Sequence, residues 1–184
     1  MARARDAIRV IAINDAVYPC WFADIAYACD AQWWNFHGRL LGFRGLKVAL
    51  EEPQGAVARH PPFLDYLLRN GGTRGFAEAT DTVCTGGNSG YQALNLCGHL
   101  GPSRVVLVGF DMHGRHWFGD HPPPVNRGAL DGQRLRQRIE FFRDLSKPLA
   151  RRGVTVVNAT PGSALDAFPT VDLTTELLRM EARQ

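Results

Sequence analysis

The sequence lacks the motifs of two large enzyme classes. It has no Gly-x-Ser-x-Gly elbow, which argues against a hydrolase nucleophile at Ser89. It has no Gly-x-x-x-x-Gly-Lys-Ser/Thr loop, which excludes a P-loop NTPase. Internal repeats and low-complexity segments are missing too, and no apolar run is long enough to span a bilayer. We therefore expect a globular protein without a membrane span.

The chain has few cysteines and a small net charge. These two features narrow the kinds of metal site and partner that we expect. The four cysteines, Cys20, Cys29, Cys84 and Cys97, form no Cys-x-x-Cys pair, so they predict reduced thiols rather than a zinc site. The net charge of +3 is too small to indicate nucleic acid, and no nucleic-acid partner is expected. The first residues show no signal-peptide pattern. These features are typical of a cytoplasmic protein.

The pattern of apolar residues predicts one α/β domain. With 184 residues the chain can bury a sizeable core, and its apolar runs mostly lack the strict alternation of half-exposed strands. The predicted strands span residues 8–14, 24–29, 46–50, 82–84, 104–109 and 154–158. The predicted helices span residues 31–37, 63–69, 88–100, 131–152 and 173–183, with a short one after the turn at 160–163. This order predicts a Rossmann-like three-layer sandwich around one mostly parallel central sheet.

Polar residues follow the predicted strands at the edge where such sheets bind ligands. These residues are Asn14, Asp15, Asp30, Asp111 and Asn158. We predict that Asn14, Asp30 and Asp111 line one cleft, together with Ser89. The alternative for Asn158 is that it only shapes the turn after the last strand.

A glycine-rich turn precedes the helix at 88–100. It consists of Gly86, Gly87, Asn88, Ser89 and Gly90. Glycines let a ligand approach the main chain, and a helix start offers unpaired N–H groups and partial positive charge. The turn therefore predicts a binding site for an anion, most often a phosphate. The alternative is an ordinary helix start capped by Asn88 or Ser89.

The loop after residue 110 is dense in groups that can do chemistry. His113, His116 and His121 can move protons near neutral pH, and Trp117 can stack on a base or sugar. A transition-metal site built from these three histidines would match no familiar spacing. The alternative is a surface loop whose aromatic residues fold back over the core.

Two aspartates of the same loop suggest a metal ion. Asp111 and Asp120 can hold a divalent cation such as Mg²⁺ alongside phosphate oxygens. We expect this arrangement only if the reaction is a diphosphoryl transfer from ATP.

The sequence resembles a group of phage and prophage proteins. The resemblance rests on residues 87–90, 104–111 and 116–121, and residues 10–15, 28–30, 33–34 and 156–165 fit the same group. The group belongs to the Rossmann-like family that includes archaeal 6-hydroxymethyl-7,8-dihydropterin pyrophosphokinase. It implies a phage-encoded protein in the cytoplasm of a bacterial host.

The same order of turn, helix, strand and acid is similar to the bacterial sialyltransferases of glycosyltransferase family 42. That similarity implies that Asn14, Ser89 and Gly90 hold a cytidine nucleotide and that Asp111 lies at the cleft. It also implies a histidine general base, for which three histidines of the following loop compete. These families usually begin with an extra strand and a Gly-x-Gly-Pro-Ser-like phosphate turn. The usual first strand is expected to be missing here, whether through a fragment, a mis-assigned start or a lost loop.

Three functions follow from these patterns. The first is a nucleotide-dependent transferase, most like a glycosyltransferase with a nucleotide-sugar donor. The second is diphosphoryl transfer from ATP with Mg²⁺. The third is a phage accessory protein that binds a nucleotide or sugar without turnover. All three require a small-molecule nucleotide-type ligand, and none fixes the oligomeric state.

Overall fold

The computed structural model describes residues 8–38, 40–52, 59–113 and 132–182, and it contains alternating strands and helices. The strands are β1 Ile11–Ile13, β2 Ile25–Tyr27, β3 Leu46–Leu50, β4 Tyr66–Asn70, β5 Thr82–Val83, β6 Arg104–Leu107 and β7 Thr155–Asn158. The α-helices are α1 Ala31–His37, α2 Ser89–Leu100, α3 Gly132–Arg151 and α4 Leu173–Glu181. None of these helices is both long and apolar enough to cross a membrane.

The first five strands form one parallel sheet in the order β1-β2-β3-β4-β5. Alternate residues of its strands face opposite layers. Ala12 and Ala26 pack with Trp34 of α1, whereas Tyr27 and its neighbours on the other face pack with Leu96 of α2. The predicted Rossmann-like α/β sandwich with a mostly parallel sheet is therefore confirmed.

The prediction that a single sheet holds all the central strands is wrong. β6 and β7 form a separate parallel pair, with Arg104 beside Thr155 and Leu107 beside Asn158. On its other side the only pairing of β7 with a described residue is a bridge from Asn158 to Thr170. β1 and β6 each keep one edge that no described strand pairs. The parallel direction of β6 and β7 agrees with the prediction.

Helix α2 joins the two sheets. Its N-cap is Asn88, whose side chain accepts a hydrogen bond of 3.0 Å from the Tyr91 N–H, and it ends at Gly101 in a left-handed conformation. Every residue from 91 to 96 is buried. Leu94 packs with the core of the second sheet and Leu96 with that of the first. The helix is thus apolar on two faces because it serves two cores.

Two local predictions fail. The predicted helix at 63–69 is a loop leading into strand β4, which pairs with β3 and β5 on its two sides. The spacing of its apolar residues suits a helix, but a ladder on both edges satisfies the backbone in an extended form. The short helix expected after 160–163 is absent as well. Residues 161–168 form bends and turns, and the next helix begins at Leu173.

The second sheet is held between α3 and α4. Leu107 and Val156 pack with Phe142 and other apolar residues of α3. On the α4 side, the Arg104 guanidinium donates two hydrogen bonds to the Glu176 carboxylate, of 2.5 and 2.8 Å. Both partners are largely buried, so this bidentate pair is sensitive to loss of either charge.

The packing of α2 against α3 predicts the effect of one methyl group. A Cβ at Gly98 would lie 2.3 Å from a Phe76 ring carbon and 2.8 Å from a Leu149 methyl. Gly98→Ala should therefore lower the free energy of unfolding by about 1–3 kcal/mol, although alanine is the better helix former by about 1 kcal/mol. Urea denaturation measures the difference.

The matched control is Gly132→Ala at the start of α3, where the one described neighbour that a Cβ meets is Arg136, at 3.6 Å. That variant should be neutral or slightly more stable. Equal stability changes at both glycines would contradict the packing described for α2.

Candidate functional site

The carboxyl ends of β1 and β2 lie side by side. Because Ile13 pairs with Tyr27 in parallel register, Asn14 and Ala28 leave the sheet as neighbours. Asn14 has a φ of +51°, which asparagine tolerates better than most residues, and it opens a 3-10 helix over Asn14–Val17. Its half-buried side chain makes no hydrogen bond to any described residue. The amide is thus available to a ligand at this edge.

Asp15 faces the side chains of α1. The Trp33 indole donates a hydrogen bond of 3.2 Å to one Asp15 carboxylate oxygen. The other oxygen lies 3.6 Å from Nε2 of His37. This geometry gives Asp15 a role in orienting α1 side chains, and a nucleotide contact by Asp15 stays a prediction.

The end of β2 lies against the first turns of α2. The buried Tyr27 hydroxyl donates to Oε1 of Gln92 at 2.8 Å, and the Ser89 hydroxyl donates to Sγ of Cys29 at 3.3 Å. Burial raises the pKa of Tyr27 well above its usual value, and the nearby charges of Cys29 and Asp30 raise it further. Asp30 stands at the N-cap of α1 without a capping hydrogen bond from its side chain. Strand and turn residues far apart in sequence therefore meet here.

Close packing explains why two positions of the turn are glycine. A Cβ at Gly86 would lie 2.3 Å from the Tyr91 ring, and one at Gly90 would lie 2.7 Å from the Phe110 ring. Gly87 differs, because it is exposed and its nearest neighbour would be the Arg138 guanidinium at 3.8 Å. Its φ of +64° requires a residue that tolerates the left-handed region. Gly87 is thus the open approach to the main chain.

The turn keeps three backbone donors. Within the described parts of the chain, the N–H groups of Gly87, Ser89 and Gly90 have no hydrogen-bond acceptor. The next donor, on Tyr91, is used by the Asn88 cap. The capping alternative is therefore true of Asn88, while the free N–H groups and the helix dipole still favour an anion.

Arg138 of α3 adds a positive charge beside this turn. Its guanidinium is half-buried next to Gly87, and no carboxylate among the described residues pairs with it. Burial lowers the pKa of Arg138, the neighbouring Arg134 lowers it further, and the Cys29 thiol acts in the opposite direction. A partly desolvated guanidinium that no described carboxylate pairs with favours an anionic ligand.

The sequence pattern predicts a solvated face for Arg134, Arg136 and Arg138, and this prediction is wrong for Arg138. Arg138 precedes Phe142 by four positions and so lies on the buried stripe of α3. The four-residue spacing between Arg138 and Phe142 is the sequence feature that indicates an inward-facing arginine.

Asp111 lines an open groove away from the start of α2. The groove has a volume of about 750 Å³ and lies at the carboxyl ends of β6 and β7. Its lining includes Asp111, Gly109, Thr160, Val171 and Asp172. The residues on either side of Asp111 turn towards α2 instead, because Phe110 meets Gly90 and Sδ of Met112 lies 4.0 Å from the Asn88 amide. The lining residues of the groove do not include Asn14, Asp30 or Ser89.

Asn158 is part of the scaffold. Its side chain is fully buried, its oxygen accepts from the Thr160 N–H at 3.0 Å, and its amide donates to Oγ of Ser163 at 2.9 Å. Ser163 in turn donates to the Phe110 carbonyl at 2.5 Å. This supports the alternative that Asn158 shapes the turn after β7. It also ties that turn to the end of β6.

Part of the predicted chemistry lies outside the described residues. His116, Trp117, Asp120 and His121 belong to the undescribed segment, so the predicted Mg²⁺ pair and two of the three histidines stay predictions. The exposed His113 lies with Nε2 3.0 Å from the Gly162 carbonyl. Among the described residues, no group of three His, Cys, Asp or Glu side chains is placed to hold a metal.

The network around Asn158 leads to a stability prediction. Asn158→Ala should lower the free energy of unfolding by about 2 kcal/mol, because it leaves the buried Thr160 N–H without its acceptor and removes the hydrogen bonds that the Asn158 amide donates to Ser163 and Leu165. The control is Asn35→Ala, which removes one exposed hydrogen bond to the Arg59 carbonyl and should cost less than about 0.5 kcal/mol. Thermal and urea unfolding measure both, and an Asn158 variant as stable as the control would argue against the scaffold role.

Comparison with known proteins identifies no relative. No protein-family model matches the chain, and no curated protein or solved structure matches it. The strand pairing and the helix packing establish the fold. The similarity to pyrophosphokinases and sialyltransferases stays an expectation from the residues.

Proposed function

We propose that this protein is a nucleotide-dependent transferase that holds the phosphates of its donor at the start of α2. The observation that carries the proposal is the combination of three N–H groups, on Gly87, Ser89 and Gly90, with the Arg138 guanidinium, none of which has an acceptor or a carboxylate partner among the described residues. Backbone donors at a helix start and a nearby arginine are complementary to phosphate oxygens.

The nucleoside would extend along the strand ends. Asn14 and Asp30 stand at the carboxyl ends of neighbouring parallel strands, and β2 ends against the first turn of α2. An amide and a carboxylate can recognise the polar edges of a base or the hydroxyls of a ribose. This position matches the edge at which open α/β sheets bind nucleotides.

Glycosyl transfer is the reaction that these groups favour. The N–H groups and Arg138 would stabilise the charge on a departing nucleotide. Stabilising that charge is the main catalytic requirement of such a transfer. Deprotonation of the acceptor requires a base, and His113, His116 and His121 remain the candidates. Under this proposal the N–H groups and Arg138, rather than a metal ion, would balance the charge of the donor phosphates.

Diphosphoryl transfer from ATP is the second candidate. Asp111 lies in an open groove that also contains Asp172, although the Asp172 carboxylate accepts hydrogen bonds from Thr175. Under this alternative Asp111 and Asp120 would hold Mg²⁺ against the phosphates. A binding protein without turnover is the third possibility.

Two substitutions at one glycine test the phosphate site. Gly87→Asp places a carboxylate beside Arg138, where it would repel phosphate and occupy the guanidinium. Like charges about 4 Å apart cost roughly 4 kcal/mol at an effective dielectric of 20, which corresponds to about a thousandfold loss of affinity. The variant should therefore show no rise in melting temperature with CMP, UDP or ADP.

Gly87→Asn is the matched control, because asparagine and aspartate tolerate the left-handed backbone similarly and differ by one charge. It should keep most of the wild-type shift. Equal nucleotide binding by both variants would remove the main support for a phosphate at α2.

Turnover separates the three functions. Incubation with CMP- and UDP-sugars should release free nucleotide without added metal if the protein transfers glycosyl groups, with a supplied hydroxyl acceptor or water taking the sugar. Release of AMP from ATP only when Mg²⁺ is present would favour diphosphoryl transfer. A melting-temperature shift without release of any product would favour the binding protein.

A further inference from the structure

A second cluster of reactive side chains lies away from the α2 turn, between the 3-10 helix after β1 and the end of α1. The Tyr18 hydroxyl is 2.5 Å from Nδ1 of His37. Nε2 of the same ring lies 3.6 Å from Asp15, whose second oxygen accepts the hydrogen bond from Trp33. The hydroxyl and the imidazole are thus within hydrogen-bond distance, and the carboxylate faces the second ring nitrogen at ion-pair distance.

The nearby carboxylate favours one tautomer of the His37 ring. Ionised Asp15 only accepts hydrogen bonds, so the proton of a neutral His37 belongs on Nε2, which faces it. Nδ1 is then the acceptor for the Tyr18 O–H. The imidazole is held in the tautomer that can remove the phenolic proton.

Burial is graded along the cluster. The side chain of His37 is 9% exposed and that of Asp15 is 15% exposed, whereas Tyr18 is 54% exposed. The Trp33 ring lies 4.4 Å from the His37 ring, measured between centroids, and covers part of the imidazole. The base and its orienting acid are therefore shielded, while the hydroxyl they act on is open to solvent.

We propose that Tyr18, His37 and Asp15 form a nucleophilic site in which Tyr18 accepts an acyl group from an activated ester or thioester. Its parts are a nucleophile in hydrogen-bond contact with a base that a third group orients. The site is separate from the nucleotide site proposed above and does not depend on it.

The transfer balances without any other reactant. The Tyr18 hydroxyl oxygen forms a bond to the acyl carbon while its proton moves to Nδ1 of His37. The bond from the acyl carbon to the leaving group breaks, and the leaving group departs with the electron pair. Burial raises the pKa of Tyr18 and the Asp15 charge raises it further, so the proton must leave during the attack rather than before it.

An acyl group fits the surroundings better than a phosphoryl group. No lysine or arginine among the described residues contacts the Tyr18 hydroxyl, and a transferring phosphoryl group needs such cations. The chain around Tyr18 also exposes Trp21 and Phe22, which favour an apolar carrier.

The test uses p-nitrophenyl acetate on the full chain, with mass-spectrometric fragmentation to locate the acetyl group. Tyr66 is an internal control, because it is 60% exposed and has no hydrogen-bond partner among the described residues. Since a general base contributes about 100-fold or more, Tyr18 should be acetylated about 100-fold faster than Tyr66. p-Nitrophenyl phosphate should transfer nothing to Tyr18.

Two variants assign the roles. His37→Gln and the positioning variant Asp15→Asn should slow acetylation of Tyr18 towards the rate at Tyr66, while Tyr66 itself reacts unchanged in the same molecules. That unchanged rate separates a lost relay from a general loss of structure. Similar rates at Tyr18 and Tyr66 in the wild-type chain, which needs no variant to fold, would overturn the proposal.

Discussion

The burial of α2 between two sheets is the constraint on which the rest of the structure depends. The helix shares its side chains between two cores, and even its polar Asn95 is fully buried. The side-chain oxygen Oδ1 of Asn95 accepts hydrogen bonds from the Ala77 and Cys84 N–H groups, at 3.4 and 3.2 Å, so the loop before the helix is fixed to it. Glycines allow this fit, because a methyl at Gly98 has no room against α3. The position of α2 therefore sets where the glycine turn points.

That position gives the turn its electrostatic character. The start of α2 lies against the end of β2 and beside Arg138 of α3, so a helix dipole, free N–H groups and a guanidinium act on the same place. Packing explains Gly86 and Gly90, whereas Gly87 faces the arginine. We interpret these N–H groups as part of a ligand site because the positively charged Arg138 lies beside them, and both would attract an anion. A helix start alone would give no such argument.

The residues that follow β1, an edge strand of the first sheet, make different contacts. The chain leaves β1 through the left-handed Asn14 and brings Asp15 to α1 rather than to the glycine turn. The aromatic side chains of α1 then enclose His37 and leave Tyr18 at the surface. The residues that follow β1 thus lie in two different environments, although they are adjacent in sequence.

The sequence by itself determined the α/β class, most strands and helices, and the glycine turn as a helix start, because apolar spacing and capping residues are local signals. Tertiary structure decided that β4 is a strand, since only its two neighbours supply the ladder. It also separated β6 and β7 from the first sheet, buried Asn158 and turned Arg138 inward. The pairing of Tyr18 with His37 was equally hidden, because its partners are 19 residues apart and meet only when α1 packs on the sheet. Contacts between distant segments carry no local pattern, so the sequence located the strand ends but not which side chains share a site.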